Sequence, residues 1–361
     1  MGSVLNSTTF SVLVLLTFSL FFTSKQSSIH AQELHNAVKA LVAPIKKTNS
    51  SVYTTSLKIN SNQNQQLIVD LSSPVLSFPC CWFSNPNGIQ TNVTINSTNG
   101  RNPTGDVTLQ SFNTSCNETS VAGLARSPQS LSSQLISKLS LKNQFGICMP
   151  DSLSPQGVIF FGSEPYEIMW PYYPVDLSKV ITYLPLVIHP EDGSYMLTLT
   201  GLALNYTQIL SFKPGTTALL STTNPYTKLR SDIYHPFVDA FTKATVAYPR
   251  VSSVEPFELC FNYGSIPASR VGYYVPLIDL MLDGGKNWTI FGYNTITRAS
   301  EEALCLGFVD GGMNMEHAVV IGAFQMENNF LLFDEEKSRL GFSSTILFMR
   351  ANCGGFNFTS V

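Results

Sequence analysis

Short apolar runs separated by polar turns recur through most of the chain. The runs at Tyr53–Ile59 and at residues 66–69 have the composition of strands, and the Asn/Gln-rich stretch between them predicts a hairpin. Residues 158–162 form a continuous apolar run that ends in glycine, which indicates a buried strand. A further series of strands is predicted over residues 183–204. Strands therefore outnumber helices in the predicted order of elements.

Two segments instead show helical periodicity. The first begins after Ser130, which is a plausible N-cap, and its apolar side chains are spaced three and four residues apart: Leu131, Leu135, Ile136 and Leu139. The second covers residues 231–244, where Pro236 lies close enough to the start to be tolerated. Its predicted inward face consists of Ile233, Phe237, Val238 and Phe241.

The first 31 residues have the pattern of an export signal. Residues 10–22 are an unbroken run of apolar and hydroxyl-bearing side chains, too short for a convincing bilayer span, and Ala31 offers a small residue for cleavage. A buried helix is the alternative, but nothing amphipathic flanks the run. No later segment reaches membrane-spanning length. We therefore expect an exported protein that makes no membrane contact once the signal is removed.

Composition and charge restrict the possible partners. The chain has 361 residues, of which 44% are hydrophobic, so it can form two domains with substantial cores. Only 12% of the residues are charged, the formal net charge is -3, and the pI is about 6.0. Beyond Lys46 and Lys47 there is no cluster of basic residues. Neither nucleic acid nor an anionic membrane is expected as a partner.

Asn-x-Ser/Thr sequons support export. Outside the predicted signal there are eight, and four of them lie close together in the first half, where they predict an exposed edge covered by glycans. The expected glycosylation sites are Asn49, Asn92, Asn96, Asn113, Asn117, Asn205, Asn287 and Asn357.

Seven cysteines in an exported chain indicate disulfides with one thiol left over. There is no Cys-x-x-Cys pair and no histidine near a cysteine, so no metal site is expected. Cys260 and Cys305 flank a segment of the second half. Cys148 and Cys353 lie far apart and are expected to tie the chain end back to the first half. Cys80, Cys81 and Cys116 then compete for one bridge.

Two of the apolar runs end in similar polar turns. Residues 67–69 lead into Asp70, with Ser72 two positions later. In the second half, residues 218–220 lead into Ser221 and two threonines. Taken alone, the second turn is an ordinary polar turn after a buried strand. Its match to the first turn indicates instead that the two turns are counterparts, one in each half of the chain.

Longer motifs make a family resemblance specific. Residues 319–334, Arg339-Leu-Gly-Phe342 and Val121-Ala-Gly123 resemble the elements that flank the two active-site turns of pepsin-like aspartic proteases. A narrower resemblance is to one plant branch of that family, which comprises extracellular dermal glycoproteins, basic seed globulins and inhibitors of microbial xyloglucanases and xylanases. It rests on residues 41–47, 221–227, 310–312 and 353–359.

The resemblance implies a mostly β, bilobal pepsin-like fold with a truncated N-terminal lobe. Where relatives carry a cysteine-rich region and a flap hairpin, this chain has only a short segment between Cys81 and Cys116. A truncated product that folds poorly is the alternative. The expected divisions are a signal peptide at 1–31, a shortened first lobe at 32–165, an interlobe linker at 166–180 and a second lobe at 181–361. The resemblance also favours Cys80 over Cys81 as the partner of Cys116.

The two turns predict an incomplete catalytic pair. Aspartic proteases need two carboxylates that share one proton, so that one activates water while the other donates to the peptide carbonyl. Asp70 is one of these, but Ser221 stands at the second position, and its hydroxyl has no charge to share. The plant branch is known for this loss. We therefore expect no peptidase activity, no catalytic residue, no cofactor and no metal.

Two arginines suggest a different role. Arg350 lies three residues before Cys353, and Arg270 precedes a Gly-x-x-Val-Pro segment, as in relatives that inhibit xyloglucanases. The histidine of xylanase-inhibiting relatives has no counterpart at 345–352. The resemblance implies a monomeric inhibitor in the apoplast whose partner is a microbial cell-wall glycoside hydrolase. The alternative is that Arg270 and Arg350 are merely solvated surface residues that contact no target enzyme. A wall-associated or storage binding glycoprotein and a residual aspartic endopeptidase are the alternatives for the protein.

Overall fold

The computed structural model describes residues 40–59, 63–79, 89–97, 107–114, 118–170 and 173–358. Several predicted features lie outside the described residues, so they stay predictions. They are the signal peptide, the three competing cysteines Cys80, Cys81 and Cys116, and the sequon residue Asn117. Within the described part of the chain, no helix is long and apolar enough to cross a membrane.

In the part of the first half that the structure describes, there are twelve strands. They are β1 (Ala40–Lys47), β2 (Tyr53–Ile59), β3 (Gln63–Asp70), β4 (Leu76–Pro79), β5 (Ile89–Thr94), β6 (Asn96–Ser97), β7 (Val107–Thr114), β8 (Val121–Gly123), β9 (Gln144–Cys148), β10 (Gly157–Gly162), β11 (Glu167–Trp170) and β12 (Tyr173–Asp176). The predicted hairpin is confirmed, because β2 and β3 pair antiparallel with Thr54 opposite Ile68. The predicted strand at 158–162 is confirmed as β10.

The second half contributes a further series of strands. They are β13 (Thr182–Pro185), β14 (Val187–Ile188), β15 (Tyr195–Leu204), β16 (Thr207–Ser211), β17 (Thr217–Leu220), β18 (Thr227–Leu229), β19 (Arg250–Val251), β20 (Cys260–Asn262), β21 (Ala268–Ser269), β22 (Gly272–Tyr273), β23 (Ile278–Leu282), β24 (Lys286–Ile290), β25 (Ile296–Arg298), β26 (Ala303–Leu306), β27 (Phe308–Asp310), β28 (Val319–Ile321), β29 (Phe330–Asp334) and β30 (Arg339–Phe342).

Helices are few and short among the described residues. They are α1 (Leu131–Lys138), α2 (Ser231–Ala244), α3 (Gly292–Thr295) and α4 (Ala323–Met326), with single 3-10 turns at Leu177–Val180, Asp283–Gly285, Ile346–Met349 and Cys353–Gly355. Both predicted helices are confirmed. The Ser130 side chain accepts a hydrogen bond from the Ser133 N–H, so the predicted cap is confirmed too. The predicted inward face of α2 is confirmed, because Ile233, Phe237 and Phe241 are buried and Val238 is half-buried against the core. Tyr234, which was not predicted, is buried as well.

The two halves of the molecule repeat one arrangement of strands. In the first half β3 lies parallel to β8, β8 pairs antiparallel with β4, and β4 lies parallel to β7. In the second half the same relations join β17 to β28, β28 to β18 and β18 to β27. Each repeat ends its first strand at one of the two polar turns. The bilobal, mostly β architecture expected from the sequence is therefore present.

One sheet joins the two halves. Among the described residues it contains thirteen strands, in the order β13-β30-β29-β9-β10-β1-β2-β3-β8-β4-β7-β5, with β6 paired to β1. The closing strands β29 and β30 thus continue the sheet of the first half, as Phe330 opposite Cys148 shows. The segment predicted as the interlobe linker contains the antiparallel pair of β11 and β12, followed by a 3-10 turn. The proposed lobe boundaries themselves stay a prediction.

Candidate functional site

The first polar turn holds a single carboxylate. Asp70 ends β3 and is half-buried, and its Oδ1 accepts hydrogen bonds from the Ser72 N–H at 2.8 Å and from the Ser72 hydroxyl at 2.6 Å. Ser72 therefore occupies one oxygen of Asp70 with contacts inside its own turn. Such contacts stabilise a local turn and leave this oxygen less available to a water nucleophile.

The second polar turn buries its serine. Ser221 is 1% exposed, and its Oγ accepts hydrogen bonds from the Asn224 side-chain amide at 2.8 Å and from the Asn224 N–H at 3.2 Å. Oγ also lies 3.2 Å from the Thr223 hydroxyl. The Ser221 hydroxyl thus closes the turn that follows β17. It presents no charged group opposite Asp70.

A threonine joins the two turns directly. The Thr222 hydroxyl donates to the Val69 carbonyl at 2.7 Å and accepts from the Leu71 N–H at 3.2 Å. Leu71 follows Asp70 as Thr222 follows Ser221, but its side chain cannot return such bonds. The contact between the turns is therefore one-sided. It places Asp70 and Ser221 on adjacent turns, as the sequence pattern predicted.

Arg270 lies at the tip of a tight hairpin. Ser269 in β21 pairs with Gly272 in β22, so Arg270 and Val271 form the two-residue turn, and Arg270 is exposed. The hairpin is held against the next segment by a hydrogen bond of 2.9 Å from the Tyr293 N–H to the Val271 carbonyl. Gly272 has φ +100°, and a Cβ there would stand 1.8 Å from the Tyr293 nitrogen. Only glycine permits this approach.

Arg350 ends the 3-10 turn at Ile346–Met349. It has left-handed backbone angles, φ 59° and ψ 16°, its N–H donates to the Leu347 carbonyl at 3.0 Å, and its side chain is exposed. Nearby Phe348 is 54% exposed and packs edge-on against Phe291, with ring centroids 4.8 Å apart. Phe291 directly precedes α3 and lies two residues from Tyr293, which binds the Arg270 hairpin.

Both arginines therefore flank one short segment, Phe291 to Tyr293. Exposed aromatic side chains accompany them, since Tyr274 is 60% exposed and Phe348 is 54% exposed. We call Arg270, Tyr274, Phe348 and Arg350, which lie on or beside the two loops that contact this segment, the arginine face. Arginine and aromatic side chains are the residue types enriched where proteins bind other proteins.

A network of buried and half-buried polar side chains joins the two halves and includes Tyr293, which contacts the Arg270 hairpin. We call Lys47, Tyr53, Asp151, Tyr293, Glu327 and Asn328 the interlobe cluster. The Glu327 carboxylate accepts hydrogen bonds from the Tyr53 hydroxyl and, at 2.6 Å, from the Lys47 ammonium. Burial raises the pKa of the Glu327 carboxyl to about 7, because its desolvation outweighs the opposing Lys47 charge.

Asp151 is the second carboxylate of this cluster. Its Oδ2 accepts from the Tyr293 hydroxyl and, at 2.8 Å, from the Asn328 side-chain amide. Burial, together with the hydrogen bond to Asp151, raises the pKa of the Tyr293 hydroxyl, so this group remains a donor. The sequence patterns did not identify this cluster. Glu327 stands within the motif at 319–334, but nothing local marks it as the partner of Lys47.

Two disulfides lie within the described residues. Cys148 bonds to Cys353, and Cys260 bonds to Cys305. These are the two pairs expected from the sequence. The first ties the segment just after Arg350 to strand β9 of the first half.

The sequon residues differ in exposure. Asn49, Asn205, Asn287 and Asn357 are exposed, whereas Asn92 and Asn96 are half-buried, and Asn113 lies in β7. Their glycosylation stays a prediction. Among the residues described, no group of histidine, cysteine and acidic side chains could hold a metal ion.

Comparison with known proteins matches both halves of the chain. Family models described as xylanase inhibitor N-terminal and xylanase inhibitor C-terminal match residues 83–163 and 194–344. Chitinase CLP of Oryza sativa subsp. japonica is 37% identical over 290 residues, which cover 75% of this chain and 68% of that protein. The chain belongs to the xylanase-inhibitor family of pepsin-like aspartic protease homologues.

Other relatives within the family carry different names. Gamma conglutin 1 of Prunus dulcis is 39% identical over 280 residues, covering 73% of this chain and 64% of that protein. Probable aspartic proteinase GIP2 of Nicotiana benthamiana is 35% identical over 302 residues, covering 74% and 68%. The matches thus span about two thirds of the length of these curated relatives.

Solved structures of the family show the same fold. The crystal structure of edgp superposes with a TM-score of 0.80 at 29% identity, covering 90% of this chain and 99% of that chain. Basic 7S globulin from soybean superposes with a TM-score of 0.75 at 25% identity, covering 90% and 100%. The resemblance and the pepsin-like fold inferred from the sequence are therefore confirmed.

Proposed function

We propose that this member of the xylanase-inhibitor family is a secreted, proteolytically inactive protein that inhibits a microbial glycoside hydrolase of the xyloglucan-cleaving kind. The arginine face carries this proposal: both exposed arginines lie on loops that contact the single segment from Phe291 to Tyr293. The site of action would be the apoplast and the cell wall.

The chemistry of arginine fits such a target. Most glycoside hydrolases use a pair of Asp or Glu carboxylates that flank the scissile bond. A guanidinium presents a rigid fork of donors that can pair with a carboxylate through two parallel hydrogen bonds. Two arginines from adjacent loops can therefore occupy a cleft built around two carboxylates. Phe348 and Tyr274 would add apolar contacts beside them.

Replacement of either arginine should weaken inhibition strongly. We expect Arg270→Ala and Arg350→Ala each to raise the inhibition constant against a xyloglucan-specific endoglucanase by about thirtyfold or more. The reason is that truncating one partner of a buried charge pair typically costs about 2 to 5 kcal/mol. Enzyme assays at several inhibitor concentrations measure this.

Lys138→Ala is the matched control for the arginine variants, because it also removes an exposed positive charge but lies in α1, in the first half. Its inhibition constant should equal that of the wild type. If the wild type inhibits and both arginine variants inhibit equally well, the arginine face is not the contact surface.

The two turns support the inactive half of the proposal. Ser221 is buried and engaged by Asn224, and one oxygen of Asp70 is engaged by Ser72, so among the described residues the second turn supplies no carboxylate to act with Asp70. Purified protein should therefore show no pepstatin-sensitive cleavage of a denatured substrate at any acid pH. Ser221→Asp alone should restore none, because Ser72 remains. Acid cleavage that pepstatin abolishes would show that the protein is a peptidase.

A binding glycoprotein of the wall or of storage tissue is the second candidate. The relatives named gamma conglutin and the structure titled basic 7S globulin favour it. Pull-down of the secreted protein with a panel of microbial endoglucanases and xylanases separates the two candidates. Failure to capture any of them would favour the binding glycoprotein.

A further inference from the structure

One carboxylate from the first half contacts both of the segments that connect to the loops of the arginine face. The Asp151 Oδ2 atom accepts from the Tyr293 hydroxyl and from the Asn328 side-chain amide, the latter at 2.8 Å. Tyr293 belongs to α3, and Asn328 lies between α4 and β29. We propose that Asp151 is a positioning residue that sets the relative placement of Arg270 and Arg350.

The connection from Asp151 to Arg270 has one step. Tyr293 uses its hydroxyl for Asp151 and its backbone N–H for the Val271 carbonyl, at 2.9 Å, in the turn that carries Arg270. Because Gly272 lies directly against the Tyr293 backbone, the hairpin has little room to shift independently of Tyr293. A displacement of Tyr293 would therefore move the Arg270 turn.

The connection from Asp151 to Arg350 runs through Asn328. The Asn328 carbonyl accepts from the Ile346 N–H at 2.8 Å, at the start of the 3-10 turn that ends in Arg350. The Asn328 side-chain oxygen accepts from the Cys353 N–H at 3.0 Å, just beyond Arg350. Both ends of the Arg350 segment are thus bound to one side chain and its backbone, and Asp151 binds the amide of that side chain.

Asp151 itself is well placed to act as a fixed point. It follows β9 by three residues, and its backbone carbonyl accepts from the Lys47 ammonium at 3.2 Å. Lys47 also binds Glu327, the neighbour of Asn328, at 2.6 Å. Lys47, at the end of β1, therefore binds the backbone of Asp151, while Tyr293 and Asn328 bind its carboxylate.

This inference rests on the proposed inhibitory function for its meaning, but its structural part can be tested without a target enzyme. Asp151→Ala removes the oxygen that both segments use, and Asp151→Asn retains an oxygen in the same place. Glu301→Ala is the control, because Glu301 is an exposed acid outside the interlobe cluster. All three proteins are studied as the full-length secreted chain.

Hydrogen exchange measured by mass spectrometry is the first readout. We expect Asp151→Ala to raise exchange about tenfold in peptides covering residues 268–273 and 346–353 together. The reason is that Tyr293 and Asn328, to which these two segments are hydrogen-bonded, each lose the Asp151 carboxylate as a partner. Exchange in β9 and β10 should stay at the wild-type rate, and Asp151→Asn should restore most of the protection. Unchanged exchange in both arginine segments would overturn the proposal, whether or not the protein inhibits any enzyme.

Inhibition is the second readout, for a target that the wild type inhibits. Asp151→Ala should raise the inhibition constant about tenfold, and it should add nothing in a protein that already carries Arg270→Ala and Arg350→Ala. A residue that only supports the fold would weaken the double variant further. Two results would show that Asp151 does not act through the arginines. One is faster exchange in both segments of Asp151→Ala with an unchanged inhibition constant. The other is a further rise of about tenfold in the inhibition constant when Asp151→Ala is added to the double arginine variant. A wild type that inhibits nothing refutes the proposed function and leaves the exchange result to decide the placement.

Discussion

Loss of the Cys148–Cys353 disulfide should lower the free energy of unfolding by about 5 kcal/mol. The two cysteines are 205 residues apart in the sequence, and a crosslink that closes so long a loop removes much of the conformational entropy of the unfolded chain. Both sulfurs are fully buried, so the bond is also shielded from reductants in the folded protein. Guanidinium denaturation of the double variant Cys148→Ala with Cys353→Ala measures the loss.

The second disulfide provides the matched comparison. Cys260 and Cys305 are 45 residues apart, so removing their bond should cost about 4 kcal/mol in the same entropic model. The first variant should additionally release the segment that follows Arg350, because Cys353 anchors it to β9. A loss below about 1 kcal/mol for the long-range bond would mean that the sheet alone holds the two halves together.

Stability should fall as the pH rises from about 4.5 to about 7, and Glu327 should cause most of the fall. Burial raises its pKa from 4.5 to about 7, so in this window the folded protein binds a proton that the unfolded chain releases. The stabilising effect of that proton is therefore complete below pH 4.5 and is lost as the pH rises through 7. The shift corresponds to about 3 kcal/mol.

Glu327→Gln should remove most of this pH dependence, since the amide has no proton to lose. Denaturant midpoints of wild type and variant between pH 4 and pH 8 measure it, with the exposed Glu301→Gln as the control. Burial also raises the pKa of Glu335, which should leave a smaller residual slope of the same sign. The aspartates with lowered pKa, such as Asp176 and Asp310, change the stability with pH only below about pH 4, which is outside this window. A wild type whose stability is constant over the window would contradict the assignment.

The sequence by itself determined the elements and the two turns. The hairpin of β2 and β3, the helix α2 at Ser231–Ala244 and the strand β17 before Ser221 follow from local periodicity, turn residues and capping, which act over a few positions. The same local information gave the missing second aspartate, because a side chain's identity at a turn needs no tertiary structure to be read.

Only the tertiary structure decided which side chains meet across the lobes. Lys47 and Glu327 form their hydrogen bond across 280 positions of sequence, and Asp151 reaches Asn328 across 177. No periodic pattern encodes such a pair, because the partners belong to segments that are far apart in the sequence. The pairing of β29 with β9 likewise joins segments that are far apart in the sequence. The backbone N–H and C=O groups along β9 are paired by a strand that local sequence does not identify.

The arginines show this division most clearly. The sequence motifs around them, one before Gly-x-x-Val-Pro and one before Cys353, identified Arg270 and Arg350 separately. The two residues are 80 positions apart. Their placement beside one segment depends on Gly272 against Tyr293 and on Phe348 against Phe291, contacts that exist only after the chain has folded. Residue identity is a local property of the chain, whereas the distance between two loops is set by everything packed beneath them.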